Sequence, residues 1–429
     1  MWKPTSSFWP IIVAGLLAPP WASAQTESRY VPDPRTEEAI ALMMDFAERT
    51  GLASGRSPQR YLWTDAFAVC NFLGLARATG EGKYTELALR LVDQVHRTLG
   101  RHRDDDPRNG WISGLSEQEG AAHPTRGGLR IGKKRPERGP GEPYDEALEW
   151  ERDGQYFHYL TRWMHALDQV TRATGRARYN VWARELAETA HGAFGYQASG
   201  AYPRRMYWKM SIDLARPLVA SMGHHDPLDG YITYLQLQST AAGLPAALAK
   251  PDLGEAIRQS GKMIEGGAWE TADPLGLGGL LMDAYRVEQL RRRGILPDDD
   301  LPETLLAASL TGMRHYARDG KVQQPAEYRL AFRELGLVIG LHAVSRMWEA
   351  AASAAETSAE DSRAGSILQA LMQYVPLRDE LESFWRDPRH RRTRTWSEHR
   401  DINDVMLATS LAPGGYLLLL PPGRSTGSE

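Results

Sequence analysis

The chain has 429 residues, 42% of them hydrophobic and 24% charged. That balance excludes a collagen-like, coiled-coil or wholly disordered chain and leaves enough apolar residues for a large core. A formal net charge of -3 supplies no bulk attraction for nucleic acid, and the single cysteine, Cys70, excludes an intramolecular disulfide framework and a cysteine-based zinc site.

Residues 1–24 read as a secretory signal peptide. Lys3 is its positive start, residues 8–17 its apolar stretch, and Ala22-Ser23-Ala24 a small-residue cleavage pattern before Gln25. The apolar stretch is shorter than the ~20 residues of a spanning helix. No later segment is long and apolar enough to span either. The expectation is a mature chain, 25–429, that is exported to the periplasm or beyond without membrane insertion.

An amphipathic helix is predicted over 36–49. From Asp65 to Ala78 the sequence is apolar nearly all round (Phe67, Val69, Phe72, Leu73, Leu75), which marks a buried helix. Thr79-Gly80 then fits a C-cap turn, where φ is usually positive. Residues 84–99 form a second, amphipathic helix with Tyr84, Leu87, Leu91, Val95 and Leu99 on one stripe. The hairpin recurs 95 residues on: Arg77-Ala78-Thr79-Gly80 returns as Arg172-Ala173-Thr174-Gly175, Tyr84 as Tyr179, Leu91 as Leu186 and His96 as His191. Inner helix, tight turn, outer helix, long loop is the local rule.

Carried along the chain, that rule predicts six inner helices starting near Asp65, Asp153, Asp229, Asp273, Glu327 and Asp401. Acidic residues there suit N-caps and the positive end of the helix dipole. The matching outer helices are 84–99, 179–194, 252–264, 302–316 and 365–374, with 36–49 closing the ring. No alternating run argues for a substantial sheet.

The repeated helix–Thr-Gly–Tyr–helix hairpin resembles the six-hairpin glycosidase superfamily, the (α/α)6 toroids, over about residues 34–422. The resemblance implies an all-α fold of six helical hairpins in inner and outer rings, in one domain over 25–429. It places the site at the N-terminal ends of the inner helices, beneath the long loops. The superfamily holds glycoside hydrolases, polysaccharide-active lyases and sugar epimerases of the N-acylglucosamine 2-epimerase type, so it implies a carbohydrate substrate. No subfamily's catalytic motif matches residue by residue.

The loops before the inner helices carry most of the chemistry-capable residues. Seven tryptophans are expected there: Trp63, Trp111, Trp150, Trp208, Trp269, Trp385 and Trp396, joined by Tyr144 and Tyr207. Aromatic faces stack on the C–H faces of sugars; they also plug the ends of barrels. The densest acidic cluster is Glu149-Trp150-Glu151-Arg152-Asp153, with His158 just beyond. A glycosidase needs an acid to protonate the leaving oxygen and a second carboxylate to activate water or attack. Asp153 is the expected general acid, Asp229 the base, and Glu149 a substitute for either. Each also suits a helix cap or an ion pair with Arg152.

Further candidates to contact substrate are Trp63, Asp65, Trp111, Trp150, His158, Trp208, His225, Trp269, His399 and Asp401. In His224-His225-Asp226-Pro227-Leu228-Asp229 the neighbouring histidines point apart and no HExxH spacing exists, so neither a metal nor another cofactor is expected. His399 paired with His158 or His225 suits proton transfer in an epimerase. The longest loop, about 101–152, has a glycine-rich basic middle, Thr125 to Arg135, which fits a lid over an anionic sugar or a solvated charge run. The leading expectation is an exported glycoside hydrolase. A sugar epimerase, a polysaccharide lyase and a non-catalytic glycan-binding or envelope protein are the other readings.

Overall fold

The computed structural model describes Met1 and residues 33–197, 204–296, 300–353 and 363–421. The signal peptide expected over 1–24 therefore lies, Met1 apart, outside the described residues.

Thirteen longer helices carry the fold among the described residues. They are α1 (Pro34–Arg49), α2 (Leu62–Thr79), α3 (Gly82–Leu99), α4 (Phe157–Thr174), α5 (Arg178–Phe194), α6 (Asp226–Ala241) and α7 (Gly254–Ile264). They continue with α8 (Pro274–Arg291), α9 (Leu301–Arg318), α10 (Ala331–Ser353), α11 (Arg363–Met372), α12 (Val375–Arg386) and α13 (Arg400–Leu411). Helices α2, α4, α6, α8, α10 and α13 each pack on the next, and α13 packs back on α2, so the inner ring closes. Outside it, α3, α5, α7 and α9 lie on α2, α4, α6 and α8; α11 and α12 share α10, and α1 lies on α13. This is an all-α (α/α)6 toroid.

The sequence repeat has a structural counterpart. Gly80 and Gly175 end α2 and α4 with φ of 73° and 72°, the left-handed conformation that glycine adopts without strain. Thr79 and Thr174 each donate their hydroxyl back to the carbonyl four residues earlier, Leu75 and Val170. Tyr84 and Tyr179 are buried at the starts of the outer helices.

Inner helices are buried nearly all round because they have neighbours on every side; α2 meets this with apolar residues, whereas α4 also buries Arg162, His165, Asp168, Gln169 and Arg172. Where α8 meets α10 the backbones themselves approach: a Cβ on Gly278 would lie 2.1 Å from the Gly336 carbonyl oxygen. One end of the ring is sealed by the chain's last described residues. His165 and Gln169 of α4 and Gln289 of α8 bond the backbone of residues 415–419, and the Phe67 ring stacks on Tyr416 at 4.2 Å. The opposite end, at the N-termini of the inner helices, stays open.

Several boundaries differ from expectation. The second inner helix starts at Phe157, not Asp153, because Gln155–Tyr156 is drawn into a short antiparallel pairing with Lys209–Met210. The third starts at Asp226, three residues before Asp229, with Pro227 in its first turn. Glu327 sits in a 3-10 turn, Ala326–Tyr328, and the fifth inner helix follows at Ala331. Trp385 is not in a loop: it lies on α12, fully buried, and donates its Nε1–H to Glu334 at 2.7 Å.

Candidate active site

The open end of the toroid encloses a cavity of about 1630 Å³. Inner helices reach it through Trp63 from α2, His158 and Arg162 from α4, Asp226 and Asp229 from α6, Asp283 from α8, Phe332 from α10 and Asp401 from α13, mostly in their first turns, with Arg162 and Asp283 deeper along theirs. That volume exceeds a drug-sized pocket and has room for several linked rings.

Three carboxyl groups sit on its floor. Asp226 and Asp229 are one turn apart on α6, a spacing that makes helical side chains neighbours. Burial works against the charge of Asp229. Arg162, which donates to both its oxygens at 3.1 and 3.2 Å, and a hydrogen bond with Asp283 outweigh that penalty and hold Asp229 below the usual carboxylate range. Asp226 answers in the opposite sense: burial first, and then the Asp229 charge, push it well above that range. Asp283 is raised by the same two causes. One anion is therefore flanked by two carboxyls that keep their protons near neutral pH. Among the described residues, Asp226 Oδ2, Asp283 Oδ1 and His158 Nδ1 are buried with no hydrogen-bond partner.

An aromatic wall rises from this floor. His158 and Trp208 lie nearly parallel at 6.2 Å, Tyr156 approaches Trp208 at 5.3 Å, and Trp150 meets Trp208 edge-on at 4.9 Å. Trp63 packs against Tyr159 at 5.4 Å on the other side of His158. Burial lowers the His158 pKa to about 4, so its imidazole is neutral.

Of the residues singled out from sequence, Trp63, Trp150, His158, Trp208, His225, Asp229, His399 and Asp401 line the cavity. Asp401 is committed to an ion pair with Arg49, and His399 packs on Phe332 at 5.6 Å. His225 donates through Nε2 to the Trp269 carbonyl at 3.0 Å, which leaves Trp269 behind it and off the cavity surface.

Asp153, Glu149, Asp65 and Trp111 also fall outside the lining. Asp153 turns back into the long loop and is fully buried. It accepts from Arg130 at 2.9 Å, Arg103 at 3.3 Å and the N–H groups of Gly132 and Gly154 at 2.9 and 3.1 Å. It is the post on which loop 101–152 is tied, and a carboxylate so engaged offers no face to a substrate. Glu149 is buried between Arg138 and Lys209, each at 2.9 Å. Asp65 accepts the Tyr61 N–H at 2.9 Å and faces Arg60 at 3.5 Å, as a residue at a helix start does. Trp111 packs on Gly120 under the Arg101 guanidinium.

Sequence reasoning passed over Asp226, Asp283 and Arg162. Their signal was present: Asp283 and Arg162 interrupt helices otherwise given to the core, and Asp226 stands within the motif that opens α6. Among the described residues no group of three or more His, Cys, Asp or Glu is placed to hold a metal ion, and no helix is long and apolar enough to cross a membrane.

No protein-family model matches the chain, and no curated protein matches it by sequence. Solved structures do resemble it. The chain is similar to a GH76 α-mannanase from Bacteroides thetaiotaomicron (9% identity, 88% of this chain and 95% of the other, TM-score 0.48). It is similar to a D-mannose isomerase (11% identity, 79% and 84%, TM-score 0.43) and to a cellobiose 2-epimerase from Bacillus thermoamylovorans (9% identity, 74% and 76%, TM-score 0.40). At such identities a likeness bears on fold alone. The closed double ring, read from the packing of the helices themselves, gives the chain the (α/α)6 toroid fold.

Proposed function

We propose that the protein is an exported carbohydrate-active enzyme that hydrolyses a glycosidic bond in an oligo- or polysaccharide, with Asp226 as general acid and Asp229 as its carboxylate partner. One observation carries this reading. A protonated carboxyl with an unpartnered oxygen stands one helical turn from a carboxylate kept ionised by Arg162, on the floor of an aromatic-walled cavity. Hydrolysis needs one carboxyl protonated and a second ionised, flanking the scissile bond. The bond between the anomeric carbon and the bridging oxygen breaks, and Asp226 gives its proton to that oxygen. A water oxygen bonds to the anomeric carbon, and Asp229 takes the proton the water loses. One water is consumed, and exchange with solvent restores both groups. Export rests on the leader-like residues 1–24.

Product analysis by mass spectrometry tests the reading, with neutral and acidic glycans offered to the wild type and to Asp226→Asn and Asp229→Asn. Fragments that together exceed the substrate by one water, formed by the wild type alone, are expected. Equal cleavage by Asp226→Asn would remove Asp226 from the mechanism.

A second reading, sugar epimerase or isomerase, is favoured by His158, whose unpartnered Nδ1 lies 3.6 Å from Asp226. It gives no mass change in water, but carbon-bound deuterium in heavy water that His158→Gln abolishes. A lyase leaves an unsaturated sugar, and a binding protein retains glycan without product.

A further inference from the structure

The cavity's cations are nearly all neutralised by carboxylates. Arg49 pairs with Asp401 and Asp404, Arg130 with Asp153, Arg135 with Glu151, Arg162 with Asp229 and Arg333 with Asp273. Two lysines differ, the exposed Lys134 and its neighbour Lys133, and Lys133 is the one set into the wall. Among the described residues no carboxylate lies within ion-pair distance of it, although it is partly buried and faces the cavity. Its ammonium donates to the Trp150 carbonyl and stands 5.8 Å from the Trp150 ring and 5.7 Å from the Tyr156 ring. An ammonium has three donors, so two remain for a ligand.

Its position is held from behind. Arg103, paired with Asp153, donates to the carbonyls of Lys133 and Lys134 at 2.6 and 2.7 Å. The buried Asp153 thus fixes the backbone that presents the lysine. From Lys133 the wall runs through the Tyr156 ring to His158, stacked at 5.3 Å, and on to Asp226, 3.6 Å from His158. A cation at the upper edge of an aromatic platform, with the proton donor at the lower edge, matches a sugar ring that carries a negative group.

We propose that Lys133 is a specificity determinant that binds the carboxylate or sulfate of an acidic sugar stacked on the Trp150–Trp208 wall, whose rings are the exposed or partly exposed ones beside it. This deepens the hydrolase reading and rests on it for the placement of the scissile bond, but not for binding itself. Burial and the neighbouring Lys209 lower the Lys133 pKa to about 8, so the cation is held at neutral pH and lost above that value.

Isothermal titration into Asp226→Asn separates the two ideas, because binding is read without turnover. The probes are uronic-acid oligosaccharides, their methyl esters, sulfated oligosaccharides and neutral oligosaccharides of equal length. Acidic probes should bind about tenfold tighter than neutral ones, which is the scale of one charge-assisted hydrogen bond. Adding Lys133→Gln should remove that preference, Lys133→Arg should keep most of it, and neutral probes should be unaffected. Whether uronates or sulfates prefer the site identifies the group. Equal binding of acidic and neutral probes, or a preference that survives Lys133→Gln in a variant that melts like its parent, overturns the proposal. Tight acidic binding without cleavage by the wild type leaves this inference standing and removes the hydrolase reading.

Discussion

His158 Nδ1 stands 3.6 Å from Asp226 Oδ1, too far for a hydrogen bond, and among the described residues neither Nδ1 nor Asp226 Oδ2 has another partner. Unpaired buried polar atoms cost stability, so a ligand that bonded either atom would recover part of that cost.

Asp226→Asn should lower kcat by about 10²–10⁴-fold, the usual contribution of a general acid. The same change should stabilise the fold. The raised folded-state pKa means the native protein keeps this proton at pH 7 while the unfolded chain loses it, so stability falls as pH rises past the unfolded value of about 4. Asparagine removes that loss. Melting curves should show a higher Tm than wild type at pH 7 and a much smaller difference near pH 3; an unchanged Tm at both would contradict the assigned protonation.

The pH profile of kcat/KM should be broad. Its acid limb follows Asp229, held below the ordinary carboxylate range, and its alkaline limb follows Asp226, raised well above it. Activity is thus lost at low pH when Asp229 takes a proton and at high pH when Asp226 gives one up. A profile that collapses between pH 4 and 5 on the alkaline side would show that some other, unshifted carboxyl is the acid.

Asp153→Asn should act on stability rather than on the chemical step. It leaves Arg103 and Arg130 without their shared carboxylate in a buried setting, a loss of roughly 3–5 kcal/mol. Hydrogen exchange should accelerate at residues 128–135, which this carboxylate ties down. A fall in kcat with no change in melting or exchange would restore Asp153 as a catalytic candidate.

Two tryptophans separate wall from core. Trp208→Ala should raise KM about tenfold with little change in Tm, since Trp208 is partly exposed on the cavity wall. Trp385→Ala should cost roughly 3–5 kcal/mol of stability through the void it leaves. At temperatures where that variant is folded, its KM should match wild type. Steady-state kinetics beside thermal melting checks both.

The hairpin repeat was legible in the sequence because it is written locally. An apolar-all-round segment must be surrounded, an amphipathic one must cover it, and Thr-Gly must end the first. Those rules need only side-chain spacing and backbone sterics, and they placed α2, α3, α4 and α5 to within a few residues. Asp229, His158 and the tryptophans 63 and 150 were legible at the mouth because they lie shortly before or within the first turns of helices whose ends had to meet, whereas Trp208, 18 residues before α6, is brought there by the strand pairing of its neighbours Lys209–Met210 with Gln155–Tyr156.

Only the tertiary structure decided which carboxylates face the cavity. Asp153 and Asp226 look alike in sequence, each an acid at the mouth of an inner helix beside an aromatic-rich loop. One is buried against two arginines from the loop behind it; the other stands against an anion and an empty hydrogen-bonding position. The protonation of Asp226 is set by its burial and by the Asp229 charge, and Asp229 is held ionised by Arg162 and Asp283, residues 67 and 54 positions from it along the chain. Local pattern determines helices because their bonds are local; it cannot determine charge states whose causes are assembled by the fold.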